Sequence, residues 1–283
     1  MHVRYITTLQ EHYMNTSLTL KTNVTLDRGA VSVYTNGRYT LHAYQAGDAL
    51  GDEAYIIETD KNLIMIELPP FHANLTGYVS YVKKLNKPLT DIMIAYHPSG
   101  YDYFPGAKLH MTATTVKAVQ ADGGIKGLID NFIKVFGKSF DEKLPEPIAD
   151  LKNGPVTIGG VNMIITEDAD GYDIELPDLN AVYIHMMGSN VHNILTGNGH
   201  IDGFIAQLES YKAKNYSMIL TSHYVPESIG AADTKIAYLR QVKALSGSCK
   251  DAAEFTAAVK KVFPAYEGEN YLQITAGIMF PAK

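Results

Sequence analysis

The sequence predicts an α+β fold built as a sandwich, with two β-sheets face to face and helices outside them. Three observations predict it. Residues Ala54–Ala107 run strand, strand, helix, strand and polar loop. After the Pro- and charge-rich stretch Lys143–Pro155, the same alternation of strands and then helices starts again. The composition, 46% hydrophobic and 19% charged over 283 residues, gives core enough for one large domain. Sheets followed by helices, given twice, bury one face of every element in a layered α+β sandwich. A single domain over 1–283 is expected, with 1–50 as a β-rich lead-in and 143–155 as the linker between its halves.

In chain order, Val31–Tyr34, the turn Asn36-Gly37-Arg38 and Tyr39–Tyr44 form a hairpin, because Asn-Gly favours the positive φ angles of a tight turn. Ala54–Thr59 and Leu63–Glu67 are apolar strands around the turn Asp60-Lys61-Asn62. Leu75, Tyr78, Val79, Val82 and Leu85 fall on one helical face, which places the helix Leu75–Asn86 outside a sheet. Asp91–Ala95, Lys108–Met111 and Val116–Ala118 read as strands. Gly124–Gly137 is an amphipathic helix carrying Ile125, Leu128, Ile129, Phe132, Ile133 and Phe136.

The second half opens with Val156–Ile158 and Val161–Ile165 around Gly159-Gly160. Tyr172–Leu176 and Ala181–His185 follow as strands, then a helix through Ile201, Phe204, Ile205, Leu208 and Tyr211, then the strand Ser217–Thr221. Thr234–Leu245 reads as a helix capped by Asp233, and Asp251-Ala252-Ala253-Glu254 as a capping box opening a helix through Phe263.

A net charge of −6 and the lack of any basic run exclude a general nucleic-acid surface. The single cysteine, Cys249, excludes an internal disulfide and a Cys-based zinc cluster. No apolar run reaches bilayer length, so no membrane partner is expected. The start, MHVRYITTLQEHYMNT, lacks the apolar stretch of a signal peptide, and a cytoplasmic location is expected. On that expectation the sequons at Asn15, Asn23, Asn74 and Asn215 are chance matches. No phosphate loop of the GxGxxG or GxxxxGK[ST] type occurs.

The loop after the third strand reads His97-Pro98-Ser99-Gly100-Tyr101-Asp102-Tyr103-Phe104-Pro105-Gly106-Ala107. Its place in the strand–strand–helix–strand frame resembles the opening half of the metallo-β-lactamase superfamily, whose equivalent strand ends in HxHxDH before a small or glycine-rich turn. The resemblance runs from residue 50 to residue 225 and implies the four-layer αββα sandwich, with an active groove where the loops after the strands converge. The register adopted sets Asp102 on the motif aspartate and Gly106-Ala107 on the turn; Pro98, Gly100 and Tyr103 then stand where the family has zinc-binding histidines. A one-residue slip sets His97 on the first histidine and displaces Asp102.

Carried over position by position, the resemblance sets Glu167 nearest to the middle histidine, His185 nearest to the bridging aspartate and His223 on the last histidine. Asp102, His223, His185 and Glu167 are therefore the candidate metal ligands. They are sufficient for no ion, or for one divalent ion such as zinc, manganese or iron, but not for a tight zinc pair. His97, Tyr101, Tyr103, His192 and Tyr224 are candidate pocket residues, since tyrosines (19 in the chain, with no tryptophan) crowd the loops where a metal cavity would lie. The expected function is a divergent hydrolase with one metal or an atypical metal site, and a small-molecule ligand is the expected partner. The alternatives are an inactive relative that binds a small molecule or protein, and a scaffold subunit. Substrate and oligomeric state do not follow from the sequence.

Overall fold

A computed structural model describes residues 17–120 and 122–281. Its first sheet has eight strands in chain order: β1 (Thr19–Thr25), β2 (Ala30–Thr35), β3 (Thr40–Gln45), β4 (Glu53–Glu58), β5 (Leu63–Ile66), β6 (Leu89–Met93), β7 (Lys108–Thr112) and β8 (Ala149–Leu151). The first five pair antiparallel, while β5–β8 pair parallel. The second sheet runs β14-β13-β12-β11-β10-β9, from β9 (Gly154–Ile158), β10 (Val161–Glu167), β11 (Tyr172–Leu176), β12 (Ala181–Met186), β13 (Met218–His223) and β14 (Glu227–Ser228). It too is an antiparallel meander until β12, which pairs parallel with β13. This switch matters for function. Parallel neighbours send their C-terminal ends to the same edge, and loops leaving β6, β12 and β13 can meet there.

Parallel pairs need crossovers, and helices supply them. α1 (His72–Lys84) links β5 to β6, and α2 (Ala113–Ala118) and α3 (Gly124–Phe136) lie between β7 and β8. α4 (Asn198–Ala213) links β12 to β13, and α5 (Ala231–Ser248), α6 (Ala252–Val262) and α7 (Glu269–Met279) follow. One apolar core lies between the sheets and under α1 and α3; a second joins β12 and β13 to α4–α7. Tyr55 of β4 ties the sheets together directly: its hydroxyl donates to the Thr221 carbonyl at 2.7 Å and accepts from the Thr221 N–H at 3.0 Å.

Four features differ from the sequence reading. Val116–Ala118 belongs to the helix α2, because the Thr112 hydroxyl caps it by accepting from the Thr115 N–H; a short β-branched run is ambiguous in period. The cap of α5 is Gly230, which leaves Asp233 in the first turn. The stretch Lys143–Pro155 contains the edge strand β8 and the start of β9, so the chain crosses between sheets there. α7, whose Leu272, Thr275 and Ala276 are buried, had no counterpart in that reading. Asp251 does cap α6, accepting from the Glu254 N–H at 2.8 Å. Of the sequons, Asn15-Thr16-Ser17 starts outside the described residues. Among the described residues no helix is long and apolar enough to cross a membrane.

The loop after β12 is pinned by a buried lysine. Lys235 of α5 is fully buried, and its Nζ donates to the Val191 carbonyl and to Asn193 Oδ1, both at 2.6 Å. Burial pulls its pKa down to about 7. The folded value lies below the unfolded one, so the folded state releases this proton first and stability rises with pH between the two. Relative to Lys235→Met, the wild type is expected to gain about 2–3 kcal/mol from pH 7 to pH 9. Urea denaturation at the two pH values measures this; parallel shifts in both proteins would show that Lys235 is charged in the fold.

Candidate metal centre

His97, His185 and His223 each offer a ring nitrogen, and the three nitrogens lie within 4.8 Å of one another. His97 follows β6, His185 lies near the end of β12, and His223 is the last residue of β13. The ring centroids are 5.5 Å apart for His97–His185, 4.9 Å for His97–His223 and 5.3 Å for His185–His223. Burial lowers the pKa of His97 to about 4. Burial, with His97 close by, lowers that of His223 to about 3. His185 is driven well below the usual histidine range by burial and by its two neighbours. All three are therefore neutral at pH 7, the form that ligates metals.

Asp52 sits behind two of these rings. Its Oδ1 is 3.6 Å from His97 Nδ1 and 3.4 Å from His223 Nδ1, and His223 Nδ1 also meets the Leu50 carbonyl at 3.1 Å. At these distances Asp52 makes no hydrogen bond to His97, and the ring of His223 is fixed through the Leu50 carbonyl. Asp48 in turn places Asp52 by accepting its N–H at 3.1 Å. Burial and Asp48 push Asp52 well above the usual carboxylate range.

The three histidines are aligned by one buried network. Glu67, fully buried with φ +59°, closes β5. Its carboxylate accepts the N–H groups of Ala95, Tyr96 and His97 at 3.0, 2.8 and 2.6 Å and the Tyr183 hydroxyl at 2.8 Å. Tyr183 continues to Ser222 Oγ at 2.5 Å, one residue before His223, and is itself two residues before His185. Burial raises Glu67 to about 7 against the opposing pull of these four donors. Tyr96 stacks on His185 at 3.9 Å and 6°, and its hydroxyl donates to Asp168.

The centre forms part of the wall of a groove of about 1090 Å³, which also takes in Ser99, the α3 face and the turn Glu167–Asp170. The buried atoms Ser99 Oγ, Asp52 Oδ2 and His97 Nδ1 have no hydrogen-bond partner.

Of the expected ligands, His185 and His223 meet here. Asp102 does not. It lies in a 3-10 turn after Gly100 (φ +94°), with its half-exposed side chain 3.2 Å from Lys143 Nζ. Glu167 lines the groove outside the histidine cluster and accepts the Thr114 hydroxyl. Among the expected pocket residues, His97 is the third histidine of the cluster. Tyr101 donates to the Ala107 carbonyl at 2.9 Å, and Tyr103 meets His72 Nδ1 at 2.8 Å. His192 is buried against Tyr238, 3.0 Å from its hydroxyl, in the second core. Tyr224, at φ +71°, donates its N–H to the Gly51 carbonyl at 3.2 Å. His97 is the residue that the one-residue slip sets on the first motif histidine; Ser99, Tyr101 and Asp102 then stand at the other positions.

No family model matches the chain, and no curated protein matches it in sequence. Solved structures do match in three dimensions. The stereoselective inverting sec-alkylsulfatase Pisa1 from Pseudomonas sp. superposes with a TM-score of 0.59 at 18% identity, over 85% of this chain and 49% of that one. The metallo-β-lactamase of Erythrobacter litoralis gives 0.53 at 12% identity, over 78% of this chain and 100% of that one. The BLEG-1 B3 metallo-β-lactamase gives 0.53 at 11% identity, over 68% and 96%. The chain has the metallo-β-lactamase fold. It spans about half the length of the alkylsulfatase it matches.

Within this fold the donor set fits one metal ion. Three neutral nitrogens within 4.8 Å suit a single ion with a position left open. Three imidazoles favour zinc or iron over manganese, which prefers oxygen donors. Among the described residues no second group of three or more His, Cys, Asp or Glu side chains is placed to hold an ion.

Proposed function

We propose that the protein is a hydrolase working with one divalent ion held by His97, His185 and His223, on a small, largely apolar substrate. The observation that carries this is the convergence of three neutral imidazoles in the wall of a groove large enough for such a substrate. Bound there, the ion would act as a Lewis acid and lower the pKa of a water molecule towards neutrality. The remaining work falls to the chain. The Leu50 carbonyl holds the His223 ring, Tyr96 holds that of His185 by stacking, and Asp52 lies behind His97 and His223. Ser99 Oγ, buried and unpaired, offers a hydrogen bond to the substrate beside the centre. Ile125 and Ile129 of α3 exclude water from the groove wall.

A second reading, an inactive relative that binds a small molecule, is favoured by the missing ligands of a second ion. Elemental analysis of protein purified without chelator separates the two. One zinc or iron ion per chain, with turnover of 4-nitrophenyl alkanoates that a chelator abolishes, is the expected result. Protein that retains no ion after loading with zinc, iron or manganese, and whose Tm none of them changes, would favour the binding module.

A further inference from the structure

The groove carries an unbalanced charge. Glu167, Asp168, Asp170 and Asp173 line it together with Glu175. The one lysine or arginine among its described lining residues, Lys214, is engaged by both oxygens of Glu175 at 2.7 and 2.8 Å. Asp173 is likewise engaged, by Gln207 Nε2 at 2.5 Å and the Tyr211 hydroxyl at 2.6 Å. The turn Glu167–Asp170 has no such cation. Asp168 Oδ1 takes the N–H groups of Asp170 and Gly171 at 3.0 and 2.8 Å, and its Oδ2 faces Tyr96.

Tyr96 connects that turn to the metal centre, since its ring lies on His185 while its hydroxyl reaches Asp168. The acidic turn is therefore one phenol ring away from the histidines. Beside it, since Asp170 Oδ1 lies 3.3 Å from where a Cβ would stand on Gly124 at the start of α3, Ile125, Leu128 and Phe132 line the groove with Ile194, Phe204 and Ile274. Leu128 and Ile274, 52% and 45% exposed, add apolar surface to the groove wall. Ser99, only 2% exposed, lines the same groove, and its Oγ has no hydrogen-bond partner within the chain.

We propose that this groove selects a substrate with an apolar arm and a cationic, ammonium-like group, the arm lying along α3 and the charge at Glu167–Asp170. An anionic substrate such as a sulfate or carboxylate ester would meet carboxylates that are hydrogen-bonded but not neutralised by any cation, and like charges placed together are what discriminate against a wrong ligand. This rests on reading the groove as the substrate site, but its test does not require the metal.

The test compares octyltrimethylammonium with octyl sulfate, which share a tail and differ in charge, by calorimetric titration at low salt. Zinc-loaded wild type and His185→Ala protein are titrated in parallel, so that sulfate binding to the ion is seen separately. The ammonium probe is expected to bind about tenfold more tightly than the sulfate in the His185→Ala protein, with the ratio shrinking as salt rises. Asp168→Asn combined with Asp170→Asn should bring the ratio close to one. Glu167→Gln, which leaves the hydrogen bonds of the turn in place, should narrow it without lowering Tm. Equal or tighter sulfate binding in the His185→Ala protein would overturn the proposal, as would a failure of both probes to bind. A preference for the ammonium probe in protein that holds no metal would uphold the substrate class while removing the metal-dependent reading of the site.

Discussion

Glu67→Ala is expected to cost about 5 kcal/mol or more, enough to unfold most of the protein at 37 °C, given that whole domains are stabilised by about 5–15 kcal/mol. Four donors lose their acceptor at once: three consecutive backbone N–H groups, Ala95 to His97, and the Tyr183 hydroxyl. All lie around a carboxylate with no solvent exposure, so water cannot replace it without rearrangement. Each buried group left unpaired costs on the order of 1–3 kcal/mol. Glu67→Gln tests the same point more sharply. Its amide fills the space, but it presents an N–H2 to N–H donors on one side. It should fold with a urea midpoint well below that of the wild type and retain little zinc. A midpoint equal to the wild type would show that the donors are satisfied by other groups.

Glu67 also shows why part of this site was legible in the sequence and part was not. Strands such as Ala181–His185 and Leu63–Glu67 read correctly because apolar runs of four to six residues between turn residues leave little choice of period, which the shorter Val116–Ala118 did not offer. His185 and His223 could be placed because each closes such a run, and the end of a strand is fixed by its register with the neighbouring strand; Met186 pairs with His223 in the parallel ladder. His97 was assigned to the pocket instead of the ligand set, because linear spacing in the loop favoured Asp102. In space, the Glu67 carboxylate holds the first residues of that loop, while Gly100, with φ +94°, turns the chain away and delivers Asp102 to Lys143. Spacing cannot show such a turn unless the acceptor is recognised. The signal was present: an acid ending an apolar strand immediately before Leu68-Pro69-Pro70 has no water to solvate it and must collect donors. Asp52, an acid opening the apolar run Glu53–Glu58, gave the same signal and was not read.

The second large effect separates the two registers of the loop. His97→Ala is expected to reduce metal affinity by at least about 100-fold, since it removes a donor where loss of an outer partner alone typically costs 10–100-fold. Any chelator-sensitive turnover should fall with it. Asp52→Asn belongs in that smaller class, because Asp52 lies behind two of the rings and is not one of the three nitrogen donors. Asp102→Ala should leave metal content unchanged and stability within about 0.5 kcal/mol of wild type, the usual range for an exposed residue, because its partner Lys143 is itself 70% exposed in the side chain. Zinc competition against a chromophoric chelator measures all three. His97 stands with His185 and His223 while Asp102 lies on Lys143, outside that group, so the variants give opposite answers for the two registers. Loss of zinc in Asp102→Ala with retention in His97→Ala would mean that metal binding pulls the loop one position along. The bonds from Glu67 to Ala95–His97 would then have to break, and Glu67→Gln should no longer matter to zinc retention.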